Sequence, residues 1–277
     1  MKKERGIRKI KTVNIQQNSP IHQSGYVLEP GNWKEYDPFL ILMEDIFQKG
    51  AFDFHPHRGI ETVTYVIDGT LEHQDNKAGF GKLEAGDVQW MTAGRGVIHK
   101  EDAAPGSNVH SLQLWINLPR SKKMTEPRYQ NLKREDMPVW KGNGAIIRVF
   151  SGSSHGVKAK TRNHVPVTMV EIELKPKACI VQDLPSSYNG FLYILEGSGF
   201  FGIDKTEGHA GQVLFLTREE TDSESSIKIT AEEKLRVLLY AGEPVNEPVA
   251  AYGPFVMNTQ EEIRQAIWDY QTGKFDK

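Results

Sequence analysis

The sequence has 277 residues, of which 38% are hydrophobic and 25% charged, and its 34 basic and 36 acidic residues give a net charge of -2. A chain of this length can form one large domain or two of medium size. The even charge balance gives no reason to expect direct binding to nucleic acid or to an anionic membrane.

Targeting signals are not indicated by the N-terminus. Residues 1–8 are charged and no apolar region follows them, unlike a signal peptide. No apolar stretch approaches the roughly 20 residues that span a membrane. Cys179 is the single cysteine, so no internal disulfide is expected, and its apolar neighbours indicate a buried small hydrophobe. We therefore expect a cytoplasmic protein without a membrane contact.

Short apolar segments bounded by turn residues recur through the first half of the chain. Ile7, Ile10 and Val13 indicate a strand or a covering arm near the N-terminus. Further strands are predicted at residues 39–46, 62–67, 71–74, 88–92, 97–101 and 110–118. Short strands at regular spacing, with little helical periodicity, are typical of an antiparallel barrel or sandwich.

The second half repeats this pattern after a connection rich in proline and charge at residues 119–144. Strands are predicted at 145–150 and 167–174, and the segments at 190–197 and 210–216 resemble those at 62–69 and 85–91. Through this repeat, His55 and His57 align with Asp183 and Pro185, so the second half lacks that histidine pair.

The end of the chain predicts a helix from Gln260 to Gln271, capped by Asn258 or Thr259. Its apolar stripe would pack on the outside of a barrel, and it comprises Ile263, Ile267, Trp268 and Tyr270.

Two pairs of metal-competent side chains lie between residues 55 and 101. His55 and His57 are two residues apart, as are His99 and Glu101. Residues two apart on a strand project from the same face. Neighbouring strands would therefore bring three imidazoles and one carboxylate to one point, a set that suits a divalent iron, copper, nickel or zinc ion. Four ligands leave two positions of an octahedral ion open.

Alternatives to this site remain at this point. Each histidine, taken singly, could be an ordinary loop or core residue. Glu61 has the parity of His55 and His57 and competes with Glu101 as the carboxylate, although Gly59 can break the strand. A structural zinc site is less well matched, since such sites close tetrahedrally and often use cysteine.

The other histidines and two arginines show weaker patterns. We expect His73 to be a surface residue, with support of a metal ligand as the alternative, and His110 to be a hydrogen-bonded core residue. Arg58 and Arg95 are expected to be solvated loop residues, with an anion contact as the alternative. A structural or surface role is expected for the remaining four, His22, His155, His164 and His209.

Several long motifs point to a known family. They lie at residues 55–59, 61–65, 72–75, 86–96, 112–119 and 273–275. Together they closely resemble the pirin family of the cupin superfamily, over essentially the whole chain. The sequence departs from the general cupin pattern at Thr62, where the usual glutamate of the first motif would fall, and at His99, which is two residues late.

The resemblance implies an all-β bicupin fold with two antiparallel β-barrel (cupin) domains and a C-terminal helix. We expect a metal-binding barrel at residues 1–130 and a barrel without metal ligands at 131–277. The family motif prefers Glu101 to Glu61 and implies one metal site with the ligands His55, His57, His99 and Glu101. It implies one divalent ion, Fe(II) in the first place, with Cu, Ni, Co, Mn and Zn as alternatives.

The resemblance also implies an activity, since several pirins are similar to quercetin 2,3-dioxygenases. The expected partners are a flavonol and dioxygen, and the expected catalytic base is Glu101. Apolar strand faces would form a dry pocket for the flavonol, with Val63, Val88, Leu112 and Leu114. The alternative is a redox-responsive regulatory protein of the pirin type, which binds a protein partner and has no dedicated flavonol substrate.

Overall fold

The computed structural model describes residues 2–77, 79–221 and 223–275, and most of them lie in β-strands. They divide into two compact units. The first unit comprises residues 15–135 and 245–275, and the second comprises residues 2–14 and 136–244. This division differs from the expected boundaries at both ends of the chain, because each terminal segment packs with the unit formed by the opposite half.

The strands of the first half are β1 (Lys3–Glu4), β2 (Ile7–Thr12), β3 (Gln16–Ser19), β4 (His22–Leu28), β5 (Phe39–Gln48), β6 (His55–His57), β7 (Ile60–Asp68), β8 (Thr70–Asp75), β9 (Phe80–Glu84), β10 (Val88–Thr92), β11 (Val97–Ala103), β12 (Asn108–Asn117) and β13 (Arg128–Leu132). The later strands are β14 (Val139–Gly142), β15 (Ala145–Ser151), β16 (Ser153–Ser154), β17 (Val157–Lys158), β18 (Val167–Leu174), β19 (Cys179–Pro185), β20 (Asn189–Glu196), β21 (Ser198–Phe201), β22 (Thr206–His209), β23 (Gln212–Leu216), β24 (Glu224–Ala231), β25 (Leu235–Gly242), β26 (Ala250–Tyr252) and β27 (Phe255–Met257). The helices are α1 (Trp33–Tyr36), α2 (Gln260–Gln271) and a 3-10 turn at Arg120–Lys122.

The first unit is built from two sheets packed face to face. A seven-stranded sheet has the order β13-β10-β7-β12-β5-β4-β3, and a four-stranded sheet has the order β6-β11-β8-β9. Side chains of both sheets meet in a buried cluster made of Phe47, Val66, Leu71, Leu83, Ala103 and Val109. The sheets do not close on each other, so the expected barrel is a cupin-like sandwich.

The second unit repeats this arrangement. Its seven-stranded sheet has the order β14-β15-β18-β25-β20-β23-β2, and its five-stranded sheet contains β1, β24, β21, β22 and β19. The N-terminal arm therefore adds one strand to each sheet, with β1 parallel to β24. Cys179 on β19 is half-buried and accepts a hydrogen bond from Thr230 Oγ1 at 3.4 Å, so it is less buried than expected.

Most strand predictions are confirmed. The strand predicted at residues 88–92 is β10 with the same bounds, and the one predicted at 97–101 is β11. The predicted connection at 119–144 is not free of structure. It contains β13, which pairs with β10, and β14, which pairs with β15. The proline and charged residues of this segment indicated a loop, but strands at the edge of a sheet tolerate both, and β13 and β14 are edge strands.

Helix α2 has the predicted bounds and begins at Thr259, whose hydroxyl accepts a hydrogen bond from the Glu262 backbone N–H at 3.2 Å. The Glu262 carboxylate accepts from the Thr259 backbone N–H at 2.9 Å, which completes a capping box. The buried face is narrower than predicted, because Trp268 and Tyr270 are 58% and 41% exposed. The helix packs on β26 and β27 in the first unit. None of the described helices is long and apolar enough to cross a membrane.

Candidate metal centre

Three histidines meet at one end of the four-stranded sheet. Strands β6 and β11 are antiparallel neighbours, and their register places His55 opposite His99 and His57 opposite Val97. Because residues two apart share a face, all three imidazoles project from the same side. Their ring centroids lie 4.6 to 5.1 Å apart, and one nitrogen of each lies within 4.8 Å of the others. The structure thus brings the three predicted histidines together.

The ring nitrogens of this triad suit a divalent ion. His57 and His99 are 1% and 0% exposed, and their Nε2 atoms have no hydrogen-bond partner within the described part of the chain. His55 Nδ1 lies 2.9 Å from the Asp53 carbonyl, a contact in which Nδ1–H donates and the Nε2 lone pair stays available. Buried nitrogens without partners are costly, and a shared metal ion would satisfy them. The donor set therefore fits the implied metal.

Burial also favours the neutral form of two of these rings, those of His57 and His99. It lowers the pKa of His57 well below 6.5, with a further lowering by the charge of His55 and a partial opposite effect of the Pro254 carbonyl. Burial likewise lowers the pKa of His99, as do the neighbouring histidines. A neutral imidazole is the form that binds a metal, so the environment favours ligation at neutral pH.

Glu101 lies beside the triad and is held by the other sheet. It follows His99 by two residues on β11 and is 5% exposed. Its Oε1 accepts a hydrogen bond from Thr64 Oγ1 at 2.8 Å, and its Oε2 accepts one from Gln113 Nε2. The mutually close donor atoms are those of the three histidines alone, so metal binding by Glu101 stays a prediction.

Glu61 and Thr64 lie on opposite faces of the seven-stranded sheet. Thr64 on β7 reaches Glu101, so alternation turns Glu61, three residues earlier, away from that carboxylate. Its Oε1 accepts a hydrogen bond from Thr92 Oγ1 at 2.7 Å. The parity that linked Glu61 to the histidines is lost at Gly59, which has a φ of +80° and separates β6 from β7. A Cβ at Gly59 would lie 1.9 Å from the Val256 carbonyl oxygen, so glycine is required there.

The expectation of a surface position for His73 is wrong. His73 is 3% exposed, and its Nε2 lies 3.1 Å from His99 Nδ1, within hydrogen-bond distance. Its ring centroid lies 4.7 Å from that of Tyr129 on β13. Burial lowers the pKa of His73. Strand alternation could have identified this residue, because β8 pairs with β11 and places His73 opposite Glu101; Tyr129 lay in the supposed connection and gave no signal.

Arg58 is not a solvated loop residue, whereas Arg95 lies in the turn between β10 and β11 and its side chain is 28% exposed. The Arg58 side chain is 4% exposed and donates hydrogen bonds to the Arg95 carbonyl, to Asp269 Oδ2 at 2.6 Å and to the Phe275 carbonyl at 2.9 Å. Arg95 forms an ion pair with Glu126. Arg58 thus ties the histidine motif to the C-terminal segment and does not face a ligand.

The predicted apolar pocket wall is also on the wrong face. Val63, Val88, Leu112 and Leu114 are buried, but alternation places them opposite to Thr64 and Gln113. Next to the triad lies Trp115, whose ring is 5.1 Å from that of His57 and whose Nε1 donates to Gln113 Oε1 at 3.3 Å. Trp115 and Tyr129 pack in turn against an apolar cluster that includes Met91 and Val97, so polar, aromatic and apolar groups all lie beside the triad.

Two further histidines form separate pairs. His110 Nε2 lies 2.7 Å from Glu44 Oε1, which confirms the expected hydrogen bond, although the side chain is 30% exposed. His22 Nε2 lies 2.7 Å from Asp45 Oδ1. Neither is among the mutually close nitrogens of the triad.

Comparisons with known proteins match both halves of the chain. A family model described as Pirin matches residues 24–116, and one described as Pirin C-terminal cupin domain matches residues 169–276. A pirin-like protein of Solanum lycopersicum is 45% identical over 240 residues, which cover 86% of this chain and 81% of that protein.

Solved structures show the same similarity. The crystal structure of GK1651 from Geobacillus kaustophilus is 69% identical, with a TM-score of 0.89, and the match covers 90% of this chain and 100% of that chain. A structure of quercetin 2,3-dioxygenase from Acinetobacter baumannii is 31% identical, with a TM-score of 0.88, and the match covers 98% of both chains.

Proposed function

The chain belongs to the pirin family, and from this premise we propose that it is a metal-dependent dioxygenase that opens the central ring of a flavonol such as quercetin. The observation that carries the proposal is the triad of His55, His57 and His99, with nitrogens within 4.8 Å of one another; His57 and His99 are buried and His55 is half-buried. The similarity to the Acinetobacter baumannii quercetin 2,3-dioxygenase supports the choice of reaction.

The proposed ligands are His55, His57, His99 and Glu101, with Fe(II) as the metal expected first. Three imidazoles and a carboxylate resemble the two-histidine, one-carboxylate site of non-haem iron oxygenases with one more histidine. Four protein ligands would leave part of the coordination sphere of such an ion free for a substrate hydroxyl. Each carboxylate oxygen of Glu101 accepts one hydrogen bond, from Thr64 or Gln113, and has a second lone pair with which it could join the ligand set.

A bound metal ion would supply Lewis acidity that lowers the pKa of a coordinating hydroxyl, together with redox chemistry toward dioxygen. Glu101 is the base that accepts the proton of the flavonol 3-hydroxyl. Thr64 and Gln113 donate to its two oxygens and orient it. The edge of Trp115 supports His57 and gives the substrate an aromatic neighbour. In the overall reaction the C2–C3 and C3–C4 bonds of the flavonol break, both atoms of dioxygen enter the ring-opened product, and C3 leaves with its own oxygen as carbon monoxide.

The test is turnover of quercetin by protein loaded with Fe(II), measured as absorbance loss with and without oxygen and as carbon monoxide release. We expect oxygen-dependent loss with the wild type, no bound metal and no turnover with His55→Ala, and retained metal with slow turnover for Glu101→Gln. The exposed His209→Ala serves as a control for removal of a histidine.

Absence of oxygen-dependent turnover with Fe, Cu, Ni, Co, Mn and Zn would contradict the dioxygenase proposal for this substrate. If the metal were nevertheless bound, the result would favour the regulatory alternative. That alternative predicts a protein partner whose capture differs between the Fe(II)- and Fe(III)-loaded protein.

A further inference from the structure

The His73 imidazole occupies an unusual position behind the triad. Its Nε2 lies 3.1 Å from His99 Nδ1, on the side of the His99 ring away from the buried Nε2 that has no partner within the described chain. Strand β8 presents His73 on the same face of the sheet as His99, since β8 and β11 are paired. His73 therefore touches a predicted ligand without belonging to the triad.

Metal binding fixes the direction of this hydrogen bond. A neutral imidazole carries one proton, and the nitrogen that binds a metal must offer its lone pair. When His99 binds through Nε2, its proton is on Nδ1 and must be donated. The acceptor within reach is Nε2 of His73, which then carries its own proton on Nδ1. The opposite tautomer of His99 has a proton on the nitrogen that faces the metal and cannot bind it.

We propose that His73 is a positioning residue, which accepts the Nδ1–H of His99 and thereby holds His99 in the tautomer and ring orientation that bind the metal. The inference rests on the proposed metal site and adds a residue to it. An acceptor behind a ligating histidine usually raises metal affinity.

Two features of the structure support an acceptor role over simple packing. His55 has an acceptor on its Nδ1 as well, the Asp53 carbonyl at 2.9 Å, so two of the three triad members have the same arrangement. The Tyr129 ring lies 4.7 Å from the His73 ring and restricts its rotation. A residue that must point one nitrogen at His99 needs such a restriction.

The experiment compares His73→Leu with His73→Gln. Leucine fills a similar volume but accepts no hydrogen bond, whereas the glutamine Oε1 reaches the position of Nε2 and accepts one. The dissociation constant for Zn(II) is measured at one fixed pH by competition with a chelator. Thermal unfolding of the metal-free proteins checks folding, and the exposed His209→Leu serves as a control.

We expect the dissociation constant to rise about 10- to 100-fold for His73→Leu and to stay within about threefold of wild type for His73→Gln. Nitrogen-15 spectra of the zinc-loaded wild type and glutamine variant should show a protonated His99 Nδ1, with a slowly exchanging proton. A purely structural role would not distinguish the two variants in this way.

The inference is overturned if His73→Leu binds Zn(II) within threefold of wild type. It is equally overturned if His73→Gln binds as weakly as His73→Leu although both are folded. Because metal affinity is measured without substrate, a flavonol assay that fails leaves this result intact. A wild type that binds no metal would instead refute the proposed function.

Discussion

The contact of Arg58 with the C-terminal segment leads to a strong stability prediction. Arg58→Leu removes a buried guanidinium that donates to the Asp269 carboxylate and to two backbone carbonyls, and whose Cζ lies 4.3 Å from the Phe275 ring centroid. Breaking a buried ion pair costs about 3–5 kcal/mol. Asp269 keeps 17% exposure and a hydrogen bond from Gln265 at 2.7 Å, so the lower end, about 3 kcal/mol, is expected.

A matched control lies on helix α2, which also carries Asp269, the partner of Arg58. Arg264 pairs with Glu261, but their side chains are 68% and 76% exposed. Such exposed pairs contribute roughly 0.2–1 kcal/mol, so Arg264→Leu should change stability by less than about 1 kcal/mol. Each variant replaces an arginine that pairs with a carboxylate on helix α2. The two ion pairs differ in how deeply they are buried.

The assay is chemical unfolding followed by tryptophan fluorescence. Most of this signal comes from the first unit, which contains four of the five tryptophans, namely Trp33, Trp90, Trp115 and Trp268. We expect Arg58→Leu to lower the free energy of unfolding by about 3 kcal/mol, roughly a 100-fold change in the equilibrium. An effect no larger than that of Arg264→Leu would refute the assignment of Arg58 as the anchor of the C-terminal segment.

Three further outcomes are expected. Burial lowers the pKa of Lys123 to about 7. Between about pH 7 and 10.4 the unfolded chain therefore binds more protons than the folded protein, so wild-type stability should rise with pH by up to about 1.4 kcal/mol per unit. Urea unfolding at several pH values measures this slope, which should be absent in Lys123→Met. Burial raises the pKa of Asp269, but hydrogen bonds from Arg58 and Gln265 outweigh this effect and lower the pKa overall. The contribution of the Asp269 carboxylate to folding stability is therefore present above about pH 4 and lost as the pH falls further. In Asp269→Asn, stability should accordingly decrease less steeply with falling pH than in the wild type. Added Zn(II) should raise the thermal midpoint of wild type through preferential binding to the folded state, and an equal rise in His57→Ala would contradict ligation by His57.

Local patterns made much of the fold and the triad predictable. Strand β10 and helix α2 have the expected bounds because alternation, capping and helical periodicity act within a few residues. The convergence of His55 and His57 follows from alternation within one strand. The pairing of their strand with the one that carries His99 was an assumption, which the register of β6 and β11 supports.

Contacts between distant segments were not predictable in the same way. Arg58 and Asp269 are 211 positions apart, and no local pattern indicates that they meet. The same holds for the N-terminal arm, whose strand β2 pairs with β23. His73 looks like a surface residue in the sequence, and Tyr129 falls in the predicted connection, because their burial depends on the pairing of β8 with β11 and of β13 with β10. Sequence patterns describe single elements, whereas burial depends on the pairing of elements.

The short strand β6 is held in place by contacts with the C-terminal segment of the chain. This strand carries two of the three histidines, has three residues and lies at the edge of its sheet, paired with β11. Such a strand needs other contacts to hold its position. Arg58 and Gly59 follow it directly, and both are anchored: Arg58 by residues 269 and 275, and the Gly59 carbonyl by Lys123 Nζ, which also donates to the Val256 carbonyl at 2.9 Å. The relative positions of the three histidines therefore depend on a segment about 200 residues away in the chain. Loss of that segment should weaken metal binding before it unfolds the sheets.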